Sequence, residues 1–464
     1  MKKPIPIRKK IDLTEGSILK KLLIVAIPTL LTSLAQMTYN LTDMFWVGRV
    51  GRIGLDPIEA VAAVGTAGYY PWFGFGMILI VKVGVSVLVS QSAGRNDKTA
   101  IERYATNGII LMAMVALLYT IYGVFFANHY VALFNIESSN VVHYATTYLR
   151  IISVAAMAMF MVNLFNGIYD GLGKTINTFY ITVSGLILNM ILDPILIIGA
   201  GLGVAGAAIA TAISQTLVLV IYIIIYLSRY RPVDIHFKKY VSFTPLKQIF
   251  KLGLPVGLQS MIMTIISIVI GIFIASYGPS VMTINRVGSQ IEALSWMVAS
   301  GFQVALASFV GQNYGAYKID RVKAGYITSL RILVPYGVIV SVILFVFART
   351  LFGLFISEPV TLAGGVEYLR IFSFSQLFMI LELMVAGAFN GLGKTKVPST
   401  IGIIGNSLRI PFAYMAGTAA GIWWTLSLSS VFKGVIIVVL FSYTLKKLID
   451  QHNTAIMVEN LEPL

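Results

Sequence analysis

The sequence predicts an all-α integral membrane protein, with twelve transmembrane helices in two pseudo-symmetric six-helix bundles around a central cavity. Three observations carry that prediction. The 464 residues are 57% hydrophobic and only 11% charged, with a mean hydropathy of +0.85, whereas soluble chains are about a quarter charged. The apolar residues fall into about a dozen long runs. Segments of the first half recur in the second.

A bilayer-spanning helix needs about 20 mostly apolar residues. Runs read between polar breaks give spans at 18–47, 58–92, 103–128, 138–168, 175–200, 203–228, 247–277, 281–311, 322–352, 362–390, 397–418 and 421–445. The start, MKKPIPIRKK and then an apolar stretch from Ile18, has the charge pattern of a signal peptide. The stretch runs to Val47, contains Pro28 and lacks a small-residue cleavage site, so it reads as an uncleaved first span. Lys and Arg cluster before span 1, in GRNDKTAIER after span 2, at Lys174, from Arg229 to Lys251, from Lys318 to Lys323, at Lys394 and Lys396, and at Lys446 and Lys447. The intervening loops hold few besides Arg49 and Arg52, and the positive-inside rule then puts both termini in the cytoplasm of a multi-pass plasma-membrane protein.

The repeat fixes the organisation. LFNIESSNVVHYATTYLRI at 133–151 aligns with LFISEPVTLAGGVEYLRI at 354–371, GLGKT at 171–175 recurs at 391–395, and SQSAGRNDK at 90–98 resembles VGQNYGAYK at 310–318. Three matches in one order mark a duplication, and six spans per copy make the copies parallel repeats, an architecture shared by several transporter classes. The expected division is a first lobe at 1–230, a cytoplasmic linker at 231–246 containing a proline and mixed charges, and a second lobe at 247–464 with a short cytoplasmic tail.

Several chemistries are excluded. The chain has no cysteine, which removes disulfides, thiolate nucleophiles and Cys-ligated metal centres. Its net charge of +15 lies in short loops rather than on a soluble basic face, so no nucleic-acid partner is expected. GLGKT lacks the first glycine of a phosphate-binding loop, since Ile168 and Ala388 stand there, and no nucleotide is expected. Asn40-Leu-Thr is a formal glycosylation acceptor, but it lies inside span 1. The four histidines fall in loops, near span ends or in the tail, leaving no convincing catalytic set for a membrane enzyme.

Ionisable residues at membrane depth are costly and therefore mark function by default. In span 1, Gln36, Asn40 and Asp43 recur at helical spacing on one face. In span 5, Asn189 and Asp193 are four apart, and Pro194 favours a kink that exposes carbonyl oxygens beside the carboxylate. Carboxylate, amide and carbonyl oxygens suit a hard cation, and the same acids can hold a proton; the alternative is that both sit at interfacial ends. The repeat pairs Asn189 with Asn406 and Pro194 with Pro411, but Asp193 with Ile410 and Asp43 with Ile270. The second half carries Arg286, Gln290, Glu292, Glu382 and Arg409. Glu382 either pairs with Arg409 or meets a cationic substrate.

Twelve spans in a parallel repeat, TYNLTDMFWVG in span 1, Q-x-x-G at the ends of spans 2 and 8, YLRI, the doubled GLGKT and LNMILDPILI in span 5 together resemble the multidrug and toxic compound extrusion family, most closely its DinF-type branch. The resemblance covers essentially the whole chain. It implies cation-coupled export of amphipathic, often cationic, small molecules, with no cofactor beyond a coupling H⁺ or Na⁺. By position, the coupling site would be Asp43, Asn189, Asp193 and Thr211, which would also ligate Na⁺ if sodium drives transport, with Tyr148 close by and Asn163 towards the lobe cavity. The acid that the NorM-type branch carries earlier in span 10 has no clear match, as Met379 stands near there and Glu382 follows one turn later. Gln36, Asn40, Tyr148, Asn163, Glu382 and Arg409 are the candidates for contact with substrate. The alternative within this superfamily fold is a flippase for a lipid-linked precursor, which would want several cavity-facing bases. A six-plus-six unit encloses its own site, and a monomer is expected.

Overall fold

The computed structural model describes residues 12–461. The basic segment at residues 1–10, used above for orientation, lies outside the described residues. All regular structure among the described residues is helical.

Spans 1 to 6 are Ile18–Val47, Pro57–Gly94, Lys98–Phe125, Ser139–Gly171, Thr175–Asp193 with its extension Pro194–Gly199, and Gly203–Leu227. Spans 7 to 10 are Phe243–Ala275, Pro279–Gly315, Ile319–Val346 and Pro359–Gly391, and span 12 is Ala419–Leu461. Eleven helices among the described residues are thus long and apolar enough to cross a membrane. Span 11 is two consecutive helices, Lys396–Ser407 and Arg409–Met415. The break arises at Pro411, which has no N–H to give the carbonyl four residues earlier. Together the two pieces suffice to cross the hydrocarbon at about 1.5 Å per residue.

Several helices outrun their apolar runs because polar caps, not hydropathy, set the ends. Span 3 starts at Lys98 rather than 103, since the Asp97 carboxylate accepts the Ala100 N–H (2.9 Å). Asp56 caps span 2 through the Ile58 N–H (2.7 Å). Glu358 caps span 10 through the N–H groups of Val360 and Thr361. Hydrogen bonds from the Thr361 side chain and from those two amides hold the Glu358 carboxyl below its ordinary pKa.

Spans 2, 4, 8 and 10 form the interior, with 56–72% of their most apolar stretches buried against 17–33% in the other seven long helices. These are repeat equivalents, 2 with 8 and 4 with 10. Span 4 carries spans 2, 3 and 6, and span 10 carries spans 8, 9 and 12. The segment after span 6 is tied down rather than forming a separate fold. Asp234 pairs with Lys98 (3.1 Å), Tyr240 donates to Glu102 (3.0 Å), and Asn107 bonds both Tyr240 O and Ser242 N–H.

The two halves meet along span 2 with span 7 and along span 1 with span 8, and they close tightly at the end bearing the GLGKT turns. A Cβ on Gly84 would lie 2.2 Å from Ile249 O, one on Gly253 1.6 Å from Ile80 O, and one on Gly94 1.9 Å from Gln312 O. Only glycine admits backbones at such distances. Two reciprocal bonds lock this end: Gln91 Nε2 donates to Gly391 O (2.9 Å), and Gln312 Nε2 donates to Gly171 O (3.0 Å). Leu13 adds a bridge, its N–H on Gln312 Oε1 (3.2 Å), its carbonyl accepting from Asn313 Nδ2 (3.2 Å), and its side chain fully buried beside Gly173. Towards the other end the helices part. Gly65 and Gly68 of span 2 and Gly271 of span 7 face open space, and no comparably close backbone approach is seen there among the described residues.

GLGKT is therefore a packing turn. Gly171 and Gly391 supply the clasped carbonyls, and Gly173 and Gly393 adopt φ of +70° and +73°. The Thr175 hydroxyl donates to Val25 O (3.0 Å) and Ile24 O (3.5 Å). Ile24 O is the carbonyl that Pro28 leaves without its helical donor.

Candidate functional site

The first-half cluster is built by the approach of spans 5 and 6. Gly206 brings span 6 against the Leu196 backbone, and Gly185 packs on Val218. That approach places Thr211 beside Asn189. The Asn189 amide, oriented so that both ends are satisfied, donates to Asp193 Oδ2 (3.1 Å) and accepts from the Thr211 N–H (3.0 Å) and hydroxyl (3.3 Å). Asn189, Asp193 and Thr211 are 2%, 0% and 7% exposed, so Asp193 depends on this local network rather than on water.

At Pro194 the helix changes register. Asp193 keeps helical torsions, φ −52° and ψ −58°, and the chain continues as a π-helix over Pro194–Gly199. The wider register absorbs the missing proline N–H without breaking the helix, a local irregularity often found at functional sites.

Span 1 contributes Asp43 and a residue that the sequence reading missed, Tyr39, whose hydroxyl lies 3.2 Å from Thr211 Oγ1. Asp43, Tyr39, Asp193 and Tyr148 of span 4 are within electrostatic reach of one another. Asp43 Oδ1 is buried and has no hydrogen-bond partner among the described residues. Gln36 and Asn40 stand exposed on span 1, so the polar stripe divides, with Asp43 at its inner border. Asn163 is half-buried and donates to Met159 O in its own helix (3.0 Å). Among the described residues no hydrogen bond joins Asn163 to the cluster.

The arrangement offers two carboxylates, an amide, a hydroxyl and two phenols around one buried locus. Oxygen donors of this kind suit a proton or a hard, oxygen-liking cation. Thr211→Val removes the hydroxyl shared by Tyr39 and Asn189, and the buried groups left unpaired should cost about 1–3 kcal/mol. A lowered thermal midpoint in detergent, mostly recovered in Thr211→Ser, is the expected result.

In the second half, Glu382 pairs with Lys433 (3.0 Å) and not with Arg409. Lys433, a base inside the apolar run of span 12, is the sequence signal for this pair. Arg409 instead donates to the hydroxyls of Ser429 (3.1 Å) and Ser430 (2.8 Å) and to Leu426 O (3.4 Å). Glu292 accepts from Gln376 Nε2 (3.2 Å) and interacts with Tyr368. Arg286 reaches across the cleft to Met44 Sδ (3.6 Å).

Comparison with known proteins places this geometry. The chain is 25% identical over 405 residues to the probable multidrug resistance protein YpnP of Bacillus subtilis, covering 87% of this chain and 89% of that one. It is 23% identical over 443 residues to the probable multidrug resistance protein NorM of Thermotoga maritima, covering 92% and 91%. It is 22% identical over 422 residues to the multidrug export protein MepA of Staphylococcus saprophyticus, covering 89% and 91%. Among solved structures, it superposes with a TM-score of 0.87 at 24% identity on a MOP-superfamily transporter of Pyrococcus furiosus, covering 96% of this chain and 99% of that one. An outward-facing multidrug resistance MATE transporter of the same superfamily gives 0.86 at 24% identity, also covering 96% and 99%. The MatE family model matches at residues 28–195 and 255–415, one segment in each half. The chain is thus a multi-pass membrane transporter, not an enzyme, and it belongs to the MatE family.

Proposed function

We propose that this protein exports amphipathic, often cationic, small molecules in exchange for H⁺ or Na⁺, with Asp43, Asn189, Asp193 and Thr211 as the coupling site. The observation that carries the proposal is the buried, unpartnered carboxylate oxygen of Asp43, electrostatically coupled to Asp193 inside the membrane. An isolated ionised acid there is unfavourable, and a bound cation or proton relieves it. Relatives named as multidrug resistance and export proteins support a drug-like cargo and favour it over a lipid-linked precursor.

The mechanism is alternating access. With both termini cytoplasmic, as the distribution of Lys and Arg supports, the clasped end faces the cytoplasm and the open cleft faces outward. Cation binding at Asp43 and Asp193 repacks spans 1 and 5 and favours release of cargo from the cleft. Substrate then enters from the cytoplasm once the clasp opens. Cation and cargo therefore weaken each other's equilibrium binding. The DinF-like branch, the plasma membrane and a monomeric state belong to the same proposal. Gln36, Asn40, Tyr148 and Asn163 are its cargo-contact candidates in the first half.

Purified protein in liposomes, given a cationic dye and either a pH gradient, a Na⁺ gradient or neither, tests this reading. Dye movement driven by one gradient identifies the coupling ion. Folded protein that moves dye under neither gradient would overturn the assignment.

A further inference from the structure

The second half carries a site of opposite polarity. Span 5 changes register at Pro194, and span 11 breaks at the equivalent Pro411. Beside the first irregularity stands an acid, Asp193; beside the second stands a base, Arg409. Arg409 and Lys433 are only 8% and 6% exposed, and both line a cavity of about 760 Å³ between spans 11 and 12. That volume lies within the range of about 300–1,000 Å³ typical of small-molecule sites. Its walls are otherwise mostly apolar, with Ile404, Leu408, Phe412, Phe432 and Ile436 along the rim.

Two acids stand near the two bases. Lys433 engages Glu382, and Glu292 is held by Gln376. Both acids are in electrostatic reach of Arg409. Arg409 nevertheless has no carboxylate within ion-pair distance among the described residues, only two hydroxyls and a carbonyl. A guanidinium at membrane depth held by neutral oxygens, at the floor of an apolar cavity, lacks one partner: an anion that arrives with an apolar body.

We propose that the groove between spans 11 and 12 binds a single-chain amphiphilic anion, a carboxylate with a hydrocarbon tail, its head on Arg409 and Lys433 and its tail along Leu408, Phe412 and Phe432. The site is separate from the cation-coupling cluster and does not depend on it. A carboxylate oxygen can accept from Arg409 Nη1, since Nε and Nη2 are already bonded to Ser429, Ser430 and Leu426 O, and the exposed rim admits a tail from the side.

The test uses the full chain in nanodiscs of neutral lipid, with a palmitic acid carrying a diazirine in its tail and a matched probe carrying a trimethylammonium head. After illumination, mass spectrometry locates the label. Saturable labelling of spans 11 and 12 by the carboxylate probe, competed by unlabelled palmitate and weak with the ammonium probe, is expected. Arg409→Gln should reduce it at least about tenfold, as truncating one partner of a buried charge pair does. Phe432→Trp, which fills the groove and leaves the charges intact, should also abolish it; this variant keeps the test decisive if Arg409→Gln does not fold. Equal labelling by both probes, undiminished labelling in Arg409→Gln, or label spread over the whole surface overturns the proposal. Competition by phosphatidylglycerol as effective as that by palmitate would overturn the single-chain assignment in favour of an anionic phospholipid. None of these readings depends on dye export, so failure here and failure of the coupling site are distinguishable.

Discussion

Asp43→Asn is expected to abolish gradient-driven export while leaving the protein in the membrane at wild-type abundance. Asparagine matches aspartate in size, and Asp43 makes no hydrogen bond through its buried Oδ1 that the change would break, so folding should tolerate it. What disappears is the exchangeable negative charge. One charge moving down 100 mV supplies roughly 2.3 kcal/mol, which corresponds to about a fiftyfold difference in accumulated cargo. The measurement is the steady-state dye ratio across loaded liposomes, with Thr38→Ala, an exposed span 1 residue whose hydroxyl bonds Leu34 O of its own helix, as a control that should change little. Retention of the full ratio by Asp43→Asn would remove Asp43 from the coupling site. Its loss together with loss of folded protein would instead make Asp43 structural, and a size-exclusion profile separates these cases.

The second large effect is expected from joining the halves covalently where they touch. An ideal Cβ on Gly311 lies 2.9 Å from Ser90 Cβ, shorter than the separation of about 3.5–4.5 Å in a disulfide, so the two helices must draw slightly apart to accept the bridge. The chain has no cysteine of its own, so Ser90→Cys with Gly311→Cys gives one defined pair. Oxidation should reduce transport by more than about tenfold, because alternating access requires this end to open, and a reductant should restore it. Each single variant should be indifferent to oxidant. A quantitatively formed cross-link that leaves transport intact would mean that the halves need not separate between Ser90 and Gly311.

The sequence made the long-range plan legible and the close contacts much less so. Hydropathy located the spans because a bilayer demands uninterrupted apolar length. It placed the ends poorly, since caps such as Asp97 and Glu358 continue the helix outside the apolar run. The repeat at GLGKT was plain, but its meaning was not. Its glycine carbonyls accept bonds from glutamines some 140 and 300 residues away in sequence, and no local pattern reports that. Asn189 and Asp193 could be paired by their spacing of four. Thr211 came only from family resemblance, because a lone threonine in an alanine-rich helix carries no signal. Tyr39 is hard to see in sequence since its ring reads as a packing group, and Lys433 because a single base within an apolar run does not say which acid it meets. The Glu382–Lys433 pair rather than Glu382–Arg409 could be decided only by knowing how spans 10, 11 and 12 sit together.

The paired glutamine contacts at the closed end have one further consequence. Each half gives one amide and receives one on its turn carbonyl, using equivalent residues, so the surface is isologous in the sense of a twofold dimer. A single six-helix unit already holds both the donor and the acceptor required to close on a copy of itself. The linker after span 6 then adds proximity rather than specificity. The chain behaves at this seam as a tethered dimer whose two subunits carry different buried charges, acids alone at the first-half cluster and acids with bases in the second half.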